Sequence, residues 1–349
     1  MRFILSSLVL ALSILFIPSC KSGEGKKSES LKPLRVMFYN VENLFDAVDD
    51  PKIDDEDFLP SAENNWTEER LNTKLNQIAE VINAVGKTGI LPDIVGFSEV
   101  ENRRVLDFLI TRTALGKQGY SVIHYDSPDK RGIDVALIYR KDRIKPIKFT
   151  TYPVIFPGDM DKPTRDILYM KAELPNKAML NILVNHWPSR SGGQAKTEPK
   201  RIMAANTAKR LCDSISFNDK QANILLMGDF NDYPDNISIV ESLGAQGDTT
   251  SDNAGLYNMM AWQKAEGVGS HQYKGDWGFL DQFIISDGLR KGENGVSTYF
   301  KNAYVFRADF LVEKNEKYGN WQPKRTYGGR KYLGGYSDHL PIVLDLWMK

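Results

Sequence analysis

The sequence predicts one α/β domain built from two packed mixed β-sheets with helices outside. Five segments share one form, an apolar strand-like run with an acid, amide or imidazole at or beside its end. Buried strands read as short continuous apolar runs, and open α/β sheets gather their active sites at strand ends. Only three helical patterns accompany about ten strand runs, too strand-rich for a simple βαβ repeat. Several strand pairs are separated only by short turns, such as Leu174-Pro175-Asn176-Lys177 before Met179, which implies antiparallel hairpins.

The elements follow in chain order. Arg2 gives a short positive n-region and Phe3 to Ile17 an apolar h-region, shorter than the roughly 20 residues of a spanning helix. Small Ser19 then precedes Cys20. A cysteine directly after such a segment resembles the lipobox of bacterial lipoproteins, with Pro18 standing where that motif has a small residue. The resemblance implies cleavage before Cys20, lipidation of its thiol, and a cell-envelope location outside the cytoplasmic membrane. An ordinary secretory signal with an incidental cysteine is the plainer alternative. Residues 1–19 are therefore read as signal peptide, the polar residues 20–32 as a flexible tether, and residues 33–349 as the folded domain.

Leu34–Tyr39 is the first strand and delivers Asn40. Leu71, Leu75, Ile78, Ile82 and Val85 recur at helical spacing, with Thr67 as cap, Glu68 and Glu69 in the first turn and Gly86 at the end. Asp93–Ser98 delivers Glu99, and Asn102 opens a second helix with Val105, Leu106, Leu109 and Ile110 inward and Gly116 beyond its end. Strand runs follow at Tyr120–His124, Ile133–Tyr139, Ile144–Ile155, Ile167–Leu174 and Met179–Val184, the last continuing to His186. A third helix covers about Glu198–Ser216, with Ile202, Ala205, Ala208, Leu211, Cys212 and Ile215 on one face. Asn223–Gly228 delivers Asp229 and Asn231, and Asp338 and His339 sit just before Leu340–Leu346.

Lys plus Arg balances Asp plus Glu at 45 each, which argues against a dedicated high-affinity DNA binder but not against an enzyme touching a few phosphates. Cys212 is the only cysteine besides Cys20, so no disulfide framework exists; its place in a helical pattern marks it as core. The acidic run Asp46–Asp57 lacks the glycine and terminal glutamate of a helix–loop–helix calcium loop and reads as a solvated charge run.

Carboxylates, amides and two of only four histidines at strand ends point to a hydrolytic metal site. Gly228-Asp229-Phe230-Asn231 after a buried strand is the sharpest motif, because one turn aims an aspartate and an asparagine at a single phosphate or metal. Together with Glu99 and Ser337-Asp338-His339, coincidence is a poor explanation.

At that point the chain resembles the endonuclease/exonuclease/phosphatase superfamily. The resemblance rests on Tyr39-Asn40-Val41-Glu42-Asn43-Leu44-Phe45, Phe97-Ser98-Glu99, Asn185-His186-Trp187, Gly228-Asp229-Phe230-Asn231, Leu280-Asp281-Gln282 and Ser337-Asp338-His339, in the family's order. It implies a deoxyribonuclease I-like four-layer α/β sandwich and a magnesium-dependent phosphodiesterase, with Mn2+ or Ca2+ as alternative ions. It further implies Glu99 as principal metal ligand, Asn40 beside it, and Asp229, Asn231 and Asp338 completing a one- or two-ion site. His339 would activate water or hold the phosphate, with Asp281 orienting it, and His186 would stabilise the phosphate or protonate the leaving group. Asp229 competes with His339 for the base, and Asn231 joins the catalytic set.

Arg190, in the basic loop after His186, and Arg131 and Arg165 near strand starts are candidate phosphate-binding residues. Trp277 stacks on a base or packs, and His271 either lines the cleft or lies at the surface; His124 matches no catalytic motif. The sequence displays no exposed aromatic hairpin of the kind a lipid-surface enzyme uses, which favours nucleic acid as substrate. The expected function is an endonuclease-like phosphodiester hydrolase, lipid-anchored to the membrane and monomeric, with no protein partner implied. A phospholipid or inositol-phosphate phosphodiesterase or phosphatase, and a non-catalytic binding lipoprotein, are the alternatives.

Overall fold

The computed structural model describes residues 33–86, 89–158, 163–247, 255–266, 268–316 and 319–349. The expectations for residues 1–32, Cys20 included, lie outside them. The first strand, β1 (Leu34–Leu44), shows why its sequence is continuously apolar from Val36 to Tyr39. Leu34, Val36 and Phe38 join one apolar cluster, and Met37, Tyr39 and Val41 join another on the opposite face. A strand buried on both faces has no polar side to alternate with.

β2 (Ile94–Val100), β3 (Tyr120–His124) and β4 (Asp134–Arg140) extend the first sheet. Its order is Val296–Ser297, Ile342–Met348, β1, β2, β4, β3, with Ala303–Val305 also paired to Ile342–Met348. The second sheet contains β5 (Lys145–Tyr152), β6 (Ile167–Glu173), β7 (Met179–His186) and β8 (Ile224–Asp229). It continues through Asp281–Ser286, Leu256–Asn258 and Ala245–Gln246, so each sheet has seven strands. β1 runs parallel to β2 and β7 parallel to β8, while their other neighbours are antiparallel. Both sheets are therefore mixed.

The sheets pack face to face through Phe38, Leu137, Met170, Ile182, Met227, Phe283 and Leu344. Each such side chain contributes about 1.5–3 kcal/mol by leaving water. α1 (Glu68–Val85) and α2 (Arg103–Arg112) cover the outer face of the first sheet, and α3 (Gln194–Asn218) covers that of the second. This is the expected four-layer α/β sandwich.

The caps behave as their chemistry dictates. Thr67 accepts from Arg70 N at the start of α1, and Asn102 accepts from Val105 N at 3.1 Å at the start of α2. α2 stops earlier than expected, at Arg112, because Thr113 caps a separate 3-10 turn, Ala114–Lys117, that contains Gly116. α3 starts earlier than expected, with Pro199 inside it. The fully buried Arg201 holds that extra turn, donating to Gln194 O at 2.9 Å and Thr197 Oγ1 at 2.7 Å. The run Ile144–Ile155 shortens to β5. Cys212 lies in the core under α3, and burial pushes its thiol up to about 12. The acidic run is only partly solvated: Asp46 and Asp55 are buried, and Asp46 N donates to Glu101 at 2.6 Å.

Candidate active site

Two expected strand ends turn out to be strand interiors with a break. β1 continues past Asn40 and β2 past Ser98, and their register shifts between Asn40/Leu44 and Ser98/Val100. Glu42, Asn43 and Glu99 have φ of 50°, 57° and 62°, left-handed conformations uncommon outside glycine. Strain of that kind persists only where surroundings enforce it, and it clusters at functional sites. Here it accompanies a fixed Glu99 carboxylate, whose Oε2 accepts from Asn43 N at 3.1 Å.

The second sheet brings the other acids to the same place. Parallel pairing sets His186 beside Asp229, and antiparallel pairing sets Asp281 opposite Asp229. Gly228 is required here, because a Cβ would collide with the Asn185 carbonyl oxygen. Asn40 Nδ2 joins the two sheets, donating to Glu99 Oε1 at 3.2 Å and Asp229 Oδ2 at 3.0 Å. Asn231, at φ 51°, donates its backbone N–H to Asp229 Oδ1 and its Nδ2 to Trp187 O. Trp187 packs edge-on against Phe230 at 4.7 Å, fixing the loop beneath the site.

His339 is held at two points, one of them braced by a further bond. Its backbone N–H donates to Ser337 Oγ at 3.1 Å, Ser337 Oγ donates to Asn40 O at 2.7 Å, and its Nδ1 lies 2.6 Å from Asp281 Oδ2. Its Nε2 then faces Asp229 Oδ2 at 3.9 Å and Asp338 Oδ1 at 4.0 Å. Burial alone pushes the imidazole down, but Asp281 above all, then Asp229 and Asp338, hold it well above the ordinary histidine range. His186 goes the other way. Burial, reinforced by Arg165 and Arg131, holds it well below that range, and its Nε2 lies 3.8 Å from Asp229 Oδ2. Burial pushes the Asp229 carboxyl up to about 7, against the pull of His339.

Two of the three arginines expected to grip phosphate are committed elsewhere. Arg190 donates to Asn231 O, Asp232 Oδ1 and Asn236 Oδ1 at 2.7–2.9 Å and stacks on Tyr233 at 4.3 Å, so it braces the loop after β8. Arg165 is buried, bonded to Asp129 at 2.9 Å and Trp187 O at 2.6 Å. Arg131 pairs with the same Asp129 but stays half-exposed. Asp338 is bonded by Arg325 at 2.7 Å. Burial raises its carboxyl, yet His339, His271 and Arg325 hold it below the ordinary carboxylate range.

The carboxylates of Glu99 and Asp229 give hard-oxygen donors suited to a divalent cation, and Asn231 and Asp338 flank them; Asn40, expected as a ligand, instead turns its Nδ2 to both carboxylates while its Oδ1 accepts from Glu42 N at 3.0 Å. Two triads place their ligand atoms within 4.8 Å of one another in this region, Asp229–Asp281–His339 and His271–Asp338–His339. A third, His124–Asp126–Asp134, is elsewhere, and there His124 Nε2 already pairs with Asp134 at 3.0 Å.

Two residues here escaped sequence reasoning. Lys74 is buried, donates to Tyr336 O at 2.6 Å, and is lowered to about 8 by burial although Glu42 and Asp338 oppose the fall. Its signal was visible: position 74 lies on the apolar stripe of α1, between Leu71 and Ile78. Arg325 had no signal. His271, expected either to line the cleft or to lie at the surface, is partly buried and lines the cleft, its ring 4.7 Å from that of His339. Trp277 packs against the core with Arg307 over its face at 5.1 Å. The hairpin that carries His271 also exposes Tyr273 (61%), and the neighbouring hairpin exposes Trp321 (49%), so exposed aromatics do occur on hairpins.

A sequence profile described as the Endonuclease/Exonuclease/phosphatase family matches residues 35–348. No curated protein sequence matches. Among solved structures, the human Nocturnin catalytic domain with bound sulfate is 18% identical, with a TM-score of 0.54 over 92% of this chain and 96% of that one. D. rerio TDP2 complexed with a single-strand DNA product is 13% identical, with a TM-score of 0.54 over 90% and 98%. An endonuclease/exonuclease/phosphatase family protein from Bacteroides thetaiotaomicron is 14% identical, with a TM-score of 0.53 over 91% and 100%. At such identities these similarities speak to the fold.

Proposed function

The chain belongs to the endonuclease/exonuclease/phosphatase family of metal-dependent phosphoesterases, and from that premise we propose a magnesium-dependent phosphodiester hydrolase, endonuclease-like on nucleic acid. We further propose that lipid on Cys20 holds it outside the cytoplasmic membrane as a monomer. The carrying observation for catalysis is one constellation: His339 fixed on Asp281 at 2.6 Å, with its Nε2 turned toward the Asn40–Glu99–Asp229 cluster.

Glu99 and Asp229 would hold the ion, with Asn40 tying the two carboxylates together and Asn231 and Asp338 beside it. An ion held there would supply neutralisation of charge on a phosphoryl oxygen and on the leaving oxygen. The protein's own groups divide the remaining work. His339, kept protonated by three carboxylates, meets the phosphate as an Nε2–H donor. Asp229 faces both His186 and His339 and is the candidate to take a proton from water. His186 stays neutral and hydrogen-bonds the phosphate or the leaving oxygen. Arg131, half-exposed, remains the candidate among the three arginines for contact with a neighbouring phosphate.

Tyr273 and Trp321 suit stacking on unpaired bases. The same pair favours the second reading, a phospholipid or inositol-phosphate substrate, since exposed aromatics also rest in lipid surfaces. The test is a panel of duplex DNA, single-stranded DNA, RNA, phospholipid and inositol phosphates, each with magnesium and with chelator. Turnover of the lipid or inositol substrates without nuclease activity selects the second reading. A chain that turns over none of them is the non-catalytic binder.

A further inference from the structure

His271 has no part in the roles assigned above, yet the fold places it in the centre of the site. It opens the strand His271–Tyr273, forms an isolated antiparallel bridge with His339, and lays its ring 4.7 Å from the His339 ring at a tilt of 43°. Leu340 N donates to Ser270 O at 2.6 Å, so backbone as well as side chain fixes this approach. No described residue hydrogen-bonds either ring nitrogen of His271. Burial, with His339 beside it, takes the imidazole down to about 4, leaving a neutral ring with an available lone pair at neutral pH.

The ligand atoms of His271, Asp338 and His339 lie within 4.8 Å of one another. A tetrahedral ion with metal–nitrogen bonds of about 2.0–2.1 Å spaces its ligands about 3.4 Å apart, so side-chain movements of about 1 Å close the set. Asp281 engages His339 Nδ1, which leaves Nε2 for a metal, and Asp338 Oδ1 lies 4.0 Å from that atom. Asp338 keeps its other oxygen on Arg325. Two imidazoles and one carboxylate make a nitrogen-rich set, unlike the oxygens of Glu99 and Asp229. Imidazole suits zinc, cobalt and their neighbours, whereas magnesium takes oxygen.

We propose that His271, Asp338 and His339 form a transition-metal site that overlaps the hydrolytic one, and that Zn2+ seated there occupies His339 Nε2 and stops the magnesium-supported hydrolysis. The inhibitory half rests on the hydrolase reading above; the binding half does not.

The experiment uses the purified full-length protein. Co2+ is titrated in without substrate and followed by its visible d–d bands, then challenged with Zn2+ and with excess Mg2+. The expected result is a nitrogen-ligated Co2+ spectrum that Zn2+ displaces and Mg2+ does not. His271→Ala and the similarly sized His271→Gln should each weaken Co2+ binding by at least about 10-fold. With magnesium and substrate, Zn2+ should inhibit the wild type, and each variant, measured against its own magnesium-only rate, should need at least about 10-fold more Zn2+. Equal Co2+ affinity in the wild type and both folded variants overturns the site, as does displacement by Mg2+. Co2+ binding that depends on His271 in a protein that hydrolyses nothing upholds the site and refutes the hydrolase reading. Magnesium-dependent hydrolysis with unaltered Zn2+ sensitivity in the variants refutes the inhibitory half alone.

Discussion

Asp281→Asn removes a fully buried carboxylate 2.6 Å from His339 Nδ1 while preserving shape. Hydrogen bonds to charged groups contribute about 1.5–3 kcal/mol. At 1.36 kcal/mol per unit, the His339 pKa should fall by about 1–2 units. The wild-type imidazole is raised above its unfolded value. Its stabilising contribution is therefore full below the unfolded pKa of about 6.5 and disappears as pH rises through the folded one. The variant should lose stability chiefly at acid and neutral pH. Activity requires a protonated His339 and an ionised Asp229, so the pH profile of kcat/KM should be a bell. Losing Asp281 lowers His339, and it lowers Asp229 as well, because Asp281 raises that carboxyl. The whole bell should move toward acid, and kcat/KM at neutral pH should fall by about 10- to 150-fold. Combined with His339→Ala, the second substitution should add little, since residues acting as a unit are not lost twice. A bell that stays in place, or fully multiplicative losses in variants with wild-type circular dichroism, would refute the reasoning.

Glu99→Gln keeps the shape but removes the charge that an oxygen-liganded divalent ion needs, so magnesium affinity by calorimetry and activity should both collapse; undiminished affinity contradicts the role. Arg201→Met strands the buried Asp232, which contacts Arg201 Nε at 2.8 Å with both side chains 0% exposed, and should cost about 3–5 kcal/mol in urea unfolding. A loss under about 1 kcal/mol would show that Arg190, also on Asp232, suffices alone. Cys20→Ala should abolish incorporation of labelled fatty acid and shift detergent partitioning; unchanged incorporation ends the lipoprotein reading.

The strands were legible because burial on both faces leaves continuous apolar runs, as in β1 and β7, and α1 because its cap, stripe and stop all lie in local sequence. The gathering of Asn40, Glu99, His186, Asp229, Asp281 and His339 was legible because each sits in a short motif. What was not legible depends on partners distant in sequence. Nothing near Arg190 says that Asp232 and Asn236 will claim its guanidinium, and nothing near His271 says that its strand will bridge to His339. The early start of α3 depends on Arg201 reaching back to Gln194. The backbone breaks at Glu42, Asn43 and Glu99 were also hidden, because unstrained alternatives exist for those residues in isolation.

The most direct test of the central claim follows phosphodiester cleavage by the purified protein, wild type and His339→Ala, through removal of divalent ions with chelator and restoration with magnesium. Wild-type cleavage should vanish in chelator and return in full with magnesium. His339→Ala should remain about 10²–10⁴-fold slower throughout. Cleavage that persists in chelator, or that survives intact in His339→Ala, would contradict the account.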